Sequence, residues 1–422
     1  MNKLCPNIIP SMKGYSKGQF VKDLTAGIIV AIIALPLSIA LAIASGVGPE
    51  VGLYTAIVAG FIISLLGGSP VQIAGPTAAF ASIVAGIVMT KGVGGLAVAT
   101  VMAGILLIIM GLLRLGNLIK YIPHTITTGF TSGIAVTIAI GQVKDFLGLT
   151  FTTSPVETVE KIEAIFYSIK TINFLSLVIG ALALVILILL AKFLPKIPAS
   201  LIAVLVCAAV VKLFNLDVNT IGTLYPNITS APPRFTMPDF SLDSIISLIP
   251  NAVTIAVLAG VESLLSCVVA DGMVGSKHNS NMELIAQGVG NIGSAFFGGI
   301  PATGAIARTA ANIKNGGRTP ISGMVHAVVL LLVLVLFMPY AKLIPMPAIA
   351  AILFIVAYNM SEWREFKEII CKSPKTDILV LVLTFLLTVI FDLVVAIVVG
   401  LLVHYLIKLI SYLISRKKAK NS

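Results

Sequence analysis

Two stretches of this chain cannot be ordinary lipid-facing helices, although both lie between long apolar runs. Residues 296–320 read FFGGIPATGAIARTAANIKNGGRTP: Gly298, Gly299 and Pro301 break the helical pattern, small residues follow, and Arg308 supplies a fixed positive charge. Residues 65–84, LLGGSPVQIAGPTAAFASIV, share that layout, and Gly67, Gly68 and Pro70 correspond to Gly298, Gly299 and Pro301 at one offset of 231 positions (298 − 67 = 231). Proline inside a helix removes a backbone donor and clashes with the preceding turn. Non-helical backbone at membrane depth is tolerated only where it is buried or lines a water-filled cavity. Gly/Pro-interrupted segments at corresponding places in two halves point to a transporter's binding site.

The rest of the chain makes membrane depth the right setting. Of 422 residues, 58% are hydrophobic and 11% charged, against about 25% charged in a soluble domain, and the mean hydropathy is +1.08. This composition belongs to an all-α polytopic membrane protein. No small-residue cleavage site follows the first apolar run, so residues 24–45 read as a retained helix. The net charge of +11 is explained by its distribution: twenty Lys/Arg fall in segments expected on the cytoplasmic side and seven outside, with Arg308 uncounted. That bias orients both termini toward the cytoplasm of a cell (plasma or inner) membrane and favours anionic headgroups, not nucleic acid. Cys5, Cys207, Cys267 and Cys371 have neither CxxC spacing nor a His cluster, which predicts no disulfide, metal or cofactor.

Taken in order, residues 1–22 are a basic cytoplasmic lead-in and 25–45 a first span holding Pro36, with a second at 52–66. The first interrupted segment is the third, its helix opening near Pro76 and Thr77, where proline suits a first turn. A fourth span covers 96–113, Arg114 and Lys120 mark a turn, and a fifth opens at Ile122-Pro123-His124 and holds Gly129, Gly133 and Gln142. Residues 152–170, with Glu157, Glu160 and Glu163 at helical spacing, read as a surface helix. Spans at 174–190 and 197–211 flank a basic turn containing Lys192, Pro195 and Lys196. Residues 216–243, rich in Pro and containing the sequon Asn227-Ile228-Thr229, form an extracellular loop joining the halves. The second half supplies spans at 245–269, 283–297, the interrupted segment, 321–338, 343–357, 378–390 and 393–413, with a charged interfacial stretch at 361–377. The expected domains are a first repeat over 23–215, a second over 244–414, and a basic cytoplasmic tail at 415–422.

Seven segments per half is an odd number, so the repeat must be inverted in the membrane and the two interrupted helices enter from opposite sides. Their N-termini would then aim free N–H groups and positive dipole ends at one spot, which favours an anion. Gly75, Pro76, Thr77 and Ala78 in the first half, with Thr303, Gly304, Ala305, Ile306 and Ala307 in the second, include residues small enough to admit a ligand to the backbone. Arg308 either adds its charge there or sits at the cytoplasmic edge. Glu262, an acid well inside an apolar run, is protonated, paired with a cation, or paired with Arg308. A coupling H+ or Na+ on this carboxylate is the sharper expectation. An enzyme is not indicated: His124, His278, His326 and His404 are scattered and no nucleophile elbow or HExxH occurs.

These residues carry a resemblance. GGIPATGAIARTAANIKNGGRTPISG, with AGVESLLSCVVADGMVGSKHNSNMELIAQGVGNI and GLYTAIVAGFIISLLGGSPVQIAGPTAAF, resembles the membrane domain of the SulP/SLC26 anion transporters over residues 21–413. The resemblance implies about 14 segments in a seven-plus-seven inverted repeat, with core and gate domains working as an elevator in a homodimer. It implies a small inorganic or carboxylate anion (sulfate, bicarbonate or dicarboxylate class) held at Gly75–Ala78 and Thr303–Arg308. Glu262 falls where sodium-coupled bicarbonate relatives usually carry Asp, so H+ symport is the first expectation. An uncoupled exchanger or channel-like member and a Na+-coupled bicarbonate transporter are the alternatives. Leu37 and Leu41 stand where many relatives present a polar residue and an aromatic to the anion. Relatives usually continue into a cytoplasmic STAS domain, whereas this sequence stops at residues 416–422, so that either it is a truncated chain or this member is without that domain. A nucleobase transporter of similar architecture would carry acids on both its eighth and tenth helices, and the tenth here has Arg308 and no acid.

Overall fold

The computed structural model describes residues 4–117, 123–152, 155, 157–194, 197–391 and 393–421. Lys120, Pro195 and Lys196, expected in turns, and Ile122, expected to open the fifth span, lie outside them.

After a single turn, α1 (Ile8–Ser11), helix α2 (Lys17–Ala44) starts eight residues earlier than its apolar run, because Ser16 caps it by accepting from Gln19 N. Helix α3 (Pro49–Leu66) opens on proline and stops at Gly67, whose backbone is extended. The short strand β1 (Ala74–Gly75) and a 3-10 turn at Ala78–Phe80 lead into α4 (Ala81–Leu112). The expected third and fourth segments meet end to end in α4, broken only at Gly92, where φ is +70°. That conformation is open to glycine at little cost. Next come α5 (His124–Leu147), the amphipathic α6 (Thr158–Ser168) fixed by a Glu157/Glu160 capping box, α7 (Phe174–Phe193), α8 (Ala199–Leu213) and the single turn α9 (Ile221–Leu224).

The second half repeats this plan. Helices α10 (Leu242–Val274) and α11 (Ser280–Phe296) precede strand β2 (Thr303–Gly304) and the short α12 (Ile306–Lys314). Helices α13 (Ile321–Ala341), α14 (Met346–Met360), α15 (Trp363–Lys372), α16 (Lys375–Ile390) and α17 (Leu393–Asn421) complete it. Eight helical stretches among the described residues are long and apolar enough to cross a membrane. Large apolar side chains such as Ile105, Leu189, Leu332 and Leu402 face outward, as lipid-facing surfaces require. The molecule is an all-α, multi-pass membrane protein.

Packing follows the repeat. Helix α11 lies on α4 as α3 lies on α13, and α10 lies on α4 as α2 lies on α13. Exchanging the halves therefore maps one set of contacts onto the other. At the α4–α11 crossing the backbones touch: a Cβ on Gly104 would stand 2.6 Å from the Gly288 carbonyl oxygen, and one on Gly288 would clash with that of Gly104. Small residues at such crossings let membrane helices approach closely enough for dispersion to hold them. A second group forms around α5, which packs on α14 and α16, while α7 joins α14 to α8 and α16 meets α17. The two groups touch mainly through α2, with α8 and α14, and through α5 with the 78–80 turn.

Candidate functional site

The two interrupted segments meet inside the first group of helices. Strands β1 and β2 pair antiparallel, Ala74 opposite Gly304 and Gly75 opposite Thr303, and Ala305 N donates to the Ile73 carbonyl at 2.9 Å. This pairing satisfies backbone groups that would otherwise be stranded at membrane depth. Beyond the crossing each chain turns into a helix. Thr77 and Ala305, both extended, occupy the N-cap positions, and neither side chain caps its own helix. Thr309 N donates to Ala305 O, the first bond of α12. The amides of Ile306, Ala307 and Arg308 thus have no intrahelical acceptor. Ile306 and Ala307 are exposed and Thr77 half-buried, whereas Gly75, Pro76, Ala78, Thr303 and Gly304 are buried. Two positive helix ends consequently share one accessible locality.

Arg308 is 2% exposed and stands at this crossing. Its Nη2 donates to the Pro76 carbonyl at 3.2 Å and to Ser38 Oγ on α2 at 3.4 Å. Its Nε and Nη1 are buried without a hydrogen-bond partner, and no carboxylate pairs with it among the described residues. Its side chain is thus enclosed between α12, α2 and the backbone that opens the first half-helix. Gly75 makes that possible, since a Cβ there would overlap Arg308 Nη1.

Glu262, half-buried on α10, accepts from Thr77 Oγ1 at 3.1 Å. The carboxyl therefore binds the start of the first half-helix and not Arg308. The adjacent Ser263 serves the second half: its Oγ accepts from Gly304 N at 3.0 Å and shares a 2.6 Å hydrogen bond with Thr303 Oγ1. Thr309 Oγ1 in turn accepts from Ile73 N at 3.0 Å. The expected residues of both halves thus converge within one hydrogen-bonded unit.

Sequence reasoning passed over Ser38, Ser263 and Thr309, and it passed over a larger group. Glu283, Gln287, Asn291 and Ser294 recur at three- and four-residue spacing along α11 and are all fully buried. Asn291 exchanges two 2.9 Å bonds with Ala302, and Ser294 Oγ donates to Ile300 O at 2.7 Å. A polar stripe on an otherwise apolar membrane helix was the available signal.

Interrupted helices that cross inside a multi-pass helical bundle, with a buried cation at the crossing, are the arrangement of a membrane transporter. The chain belongs to the Sulfate permease family, which it matches over residues 20–384. It is 47% identical over 374 residues to the "Putative sulfate transporter YvdB" of Bacillus subtilis, covering 88% of this chain and 70% of that relative. It is 36% identical over 383 residues to the "Bicarbonate transporter BicA" of a Picosynechococcus species, covering 86% of this chain and 66% of that one. Among solved structures, the transmembrane domain of a cyanobacterium bicarbonate transporter BicA superposes with a TM-score of 0.79 at 29% identity, covering 91% of this chain and 98% of that one. SLC26A9 shares the fold, with a TM-score of 0.87 at 20% identity, over 96% of this chain and 68% of that one. The SulP/SLC26 resemblance in the sequence therefore holds, and the family is one of transporters, not enzymes.

Proposed function

We propose that this protein is a secondary active symporter that carries a small anion of the sulfate or bicarbonate class, with dicarboxylates as a further candidate, together with H+. The observation that carries the reading is the convergence of two half-helix N-termini on one accessible locality beside Arg308. An anion there gains hydrogen bonds from the free amides near Thr77, Ala78, Ile306 and Ala307, the two helix dipoles, and the guanidinium charge. Gly75, Pro76, Thr303, Gly304 and Ala305 form the frame that sets those donors. The similarity to a sulfate and to a bicarbonate transporter supports both anions.

Glu262 takes the coupling role. It is half-buried, touches the anion frame through Thr77, and has no cationic partner among the described residues. A proton, or Na+ in the alternative reading, would neutralise it when the anion loads. The helices around the crossing, drawn from residues 23–215 and 244–414, would move as an elevator against the group around α5 and α14, in a homodimer within the cell membrane with both termini cytoplasmic. Counterflow in proteoliposomes with sulfate, bicarbonate, chloride and fumarate, under imposed pH and Na+ gradients, tests the reading. Uptake of sulfate or bicarbonate driven by an inward H+ gradient is expected. Exchange indifferent to both gradients would replace symport by uncoupled exchange, and no uptake of any of the four would overturn the reading.

A further inference from the structure

A second buried acid lies behind the crossing. Glu283 on α11 is 0% exposed, and its carboxyl oxygens accept four hydrogen bonds. Gly68 N and Ser69 N donate to Oε2 at 2.9 and 3.2 Å, and Gln72 Nε2 and Gln287 Nε2 each donate to Oε1 at 2.9 Å. All four partners are donors, and no Lys or Arg pairs with Glu283 among the described residues. A buried carboxylate is costly unless its lone pairs are satisfied, and then it rigidifies what surrounds it. What surrounds this one is the approach to β1.

Gln72 extends the grip. Besides donating to Glu283, its Nε2 lies 3.3 Å from the Ser263 carbonyl on α10, and its Oε1 accepts from the Cys267 thiol at 3.1 Å. Its amide also lies flat against β2, since a Cβ on Gly304 would clash with it. One glutamine thus touches α10, α11 and the second half-helix's approach while belonging to the first.

We infer that Glu283, acting through Gln72 and the amides of Gly68 and Ser69, is a positioning residue that fixes the two half-helix starts relative to each other. The inference rests on the crossing being the anion site, but its structural half can be read without any anion. A direct charge effect and a positioning effect have opposite signs. Were Glu283 felt only as a negative charge, neutralising it would tighten anion binding. As a positioning residue, its replacement by Gln turns an NH2 toward Gln72 or toward the Gly68 amide, so donor faces donor and the frame loosens.

Three chains would be compared in detergent and in proteoliposomes: the unaltered protein, E283Q, and E283Q/Q72E, which restores a donor–acceptor pair with the roles exchanged. Hydrogen exchange at residues 68–77 and 303–308 is expected to quicken about ten-fold in E283Q while α3 and α13 keep their protection, and to recover in the double variant. In uptake, KM for sulfate or bicarbonate is expected to rise about ten-fold in E283Q with kcat per folded protein nearly unchanged, again recovering in the double variant. Unchanged or uniformly raised exchange in E283Q, or a lowered KM, overturns the inference. If the unaltered protein takes up neither anion, the proposed function fails and the exchange pattern alone decides the positioning role. If E283Q does not accumulate as folded protein, Gln72→Met removes the bridge, leaves Glu283 three donors, and is read by the same two measurements.

Discussion

The guanidinium of Arg308 donates through Nη2 to the carbonyl oxygen of Pro76 at 3.2 Å, joining residues 232 positions apart. One cation therefore ties the second half-helix to the backbone that opens the first. Because Nε and Nη1 have no protein partner, the charge is held in place without being neutralised.

A buried charge without a counter-ion costs stability, and replacing it by an apolar side chain removes that cost. Arg308→Met is accordingly expected to abolish anion uptake while leaving the thermal unfolding midpoint in detergent at or above that of the unaltered protein. Arg308→Lys keeps the charge but not the planar fork. It is expected to retain uptake with KM raised about ten-fold, since ~1.4 kcal/mol corresponds to one decade. A midpoint that falls sharply in Arg308→Met would show that the guanidinium is chiefly structural.

Two glycines near the crossing separate function from folding. At Gly75 the obstacle to a Cβ is the end of the flexible Arg308 side chain, with Ala56 next at 3.5 Å. Gly75→Ala should fold, push the guanidinium aside and lose uptake. At Gly68 the obstacle is the Asn279 backbone oxygen, with Glu283 N at 2.9 Å. Gly68→Ala should lower the yield of folded protein, as overpacking costs about 1–3 kcal/mol. Size-exclusion profiles and uptake per folded protein measure both.

Glu262 gives a prediction about driving force. Glu262→Gln keeps the size of the side chain and an oxygen for the Thr77 hydroxyl, so folding and anion exchange should persist. Uptake driven by a pH gradient should vanish. Undiminished pH-driven accumulation in this variant would remove the carboxyl from coupling.

At the start of α2, Asp23 is 0% exposed and binds the segment before α13. Arg318 N and Thr319 N donate to Oδ1 at 2.8 and 3.3 Å and Thr319 Oγ1 to Oδ2 at 2.7 Å, with Gln19 Nε2 and Tyr15 OH adding bonds at 3.1 and 3.0 Å. Asp23→Asn presents an amide to donors, and about 1–3 kcal/mol of stability should be lost, read as a lower unfolding midpoint. Burial, then the hydrogen bond and charge of Asp23, push Tyr15 up to about 12 from 10.0. A group whose folded value is raised contributes stability that is complete below the unfolded value and lost as pH rises through the folded one. The Tyr15 contribution should therefore be constant up to about pH 10 and disappear through about pH 12, a dependence that Tyr15→Phe removes.

The membrane class, the apolar segments and the matched interruptions were legible because they are local: hydropathy, the missing N–H of Pro70 and Pro301, and the capping box at Glu157 act within a few residues. Helix ends were less legible. Asp23 falls between a lead-in that ends at residue 22 and an apolar run that begins at 25, whereas the Ser16 cap starts α2 ahead of that run. Glu283 is the first residue of the span expected at 283–297, yet it is wholly buried, because Gly68, Ser69 and Gln72, more than two hundred positions away, supply three of its four donors.

The sequence by itself determined that two broken helices exist, that the halves are inverted, and that Arg308 and Glu262 are the charges to follow near them. Only the tertiary structure decided how those charges are used. Arg308 lies inside against Pro76 and Ser38, Glu262 binds Thr77 in place of Arg308, and Gln72 bridges three elements at the back of the crossing. Periodicity records which face of a helix is apolar, but a hydrogen bond at 3 Å between distant residues depends on how whole helices dock, and no local pattern encodes that distance.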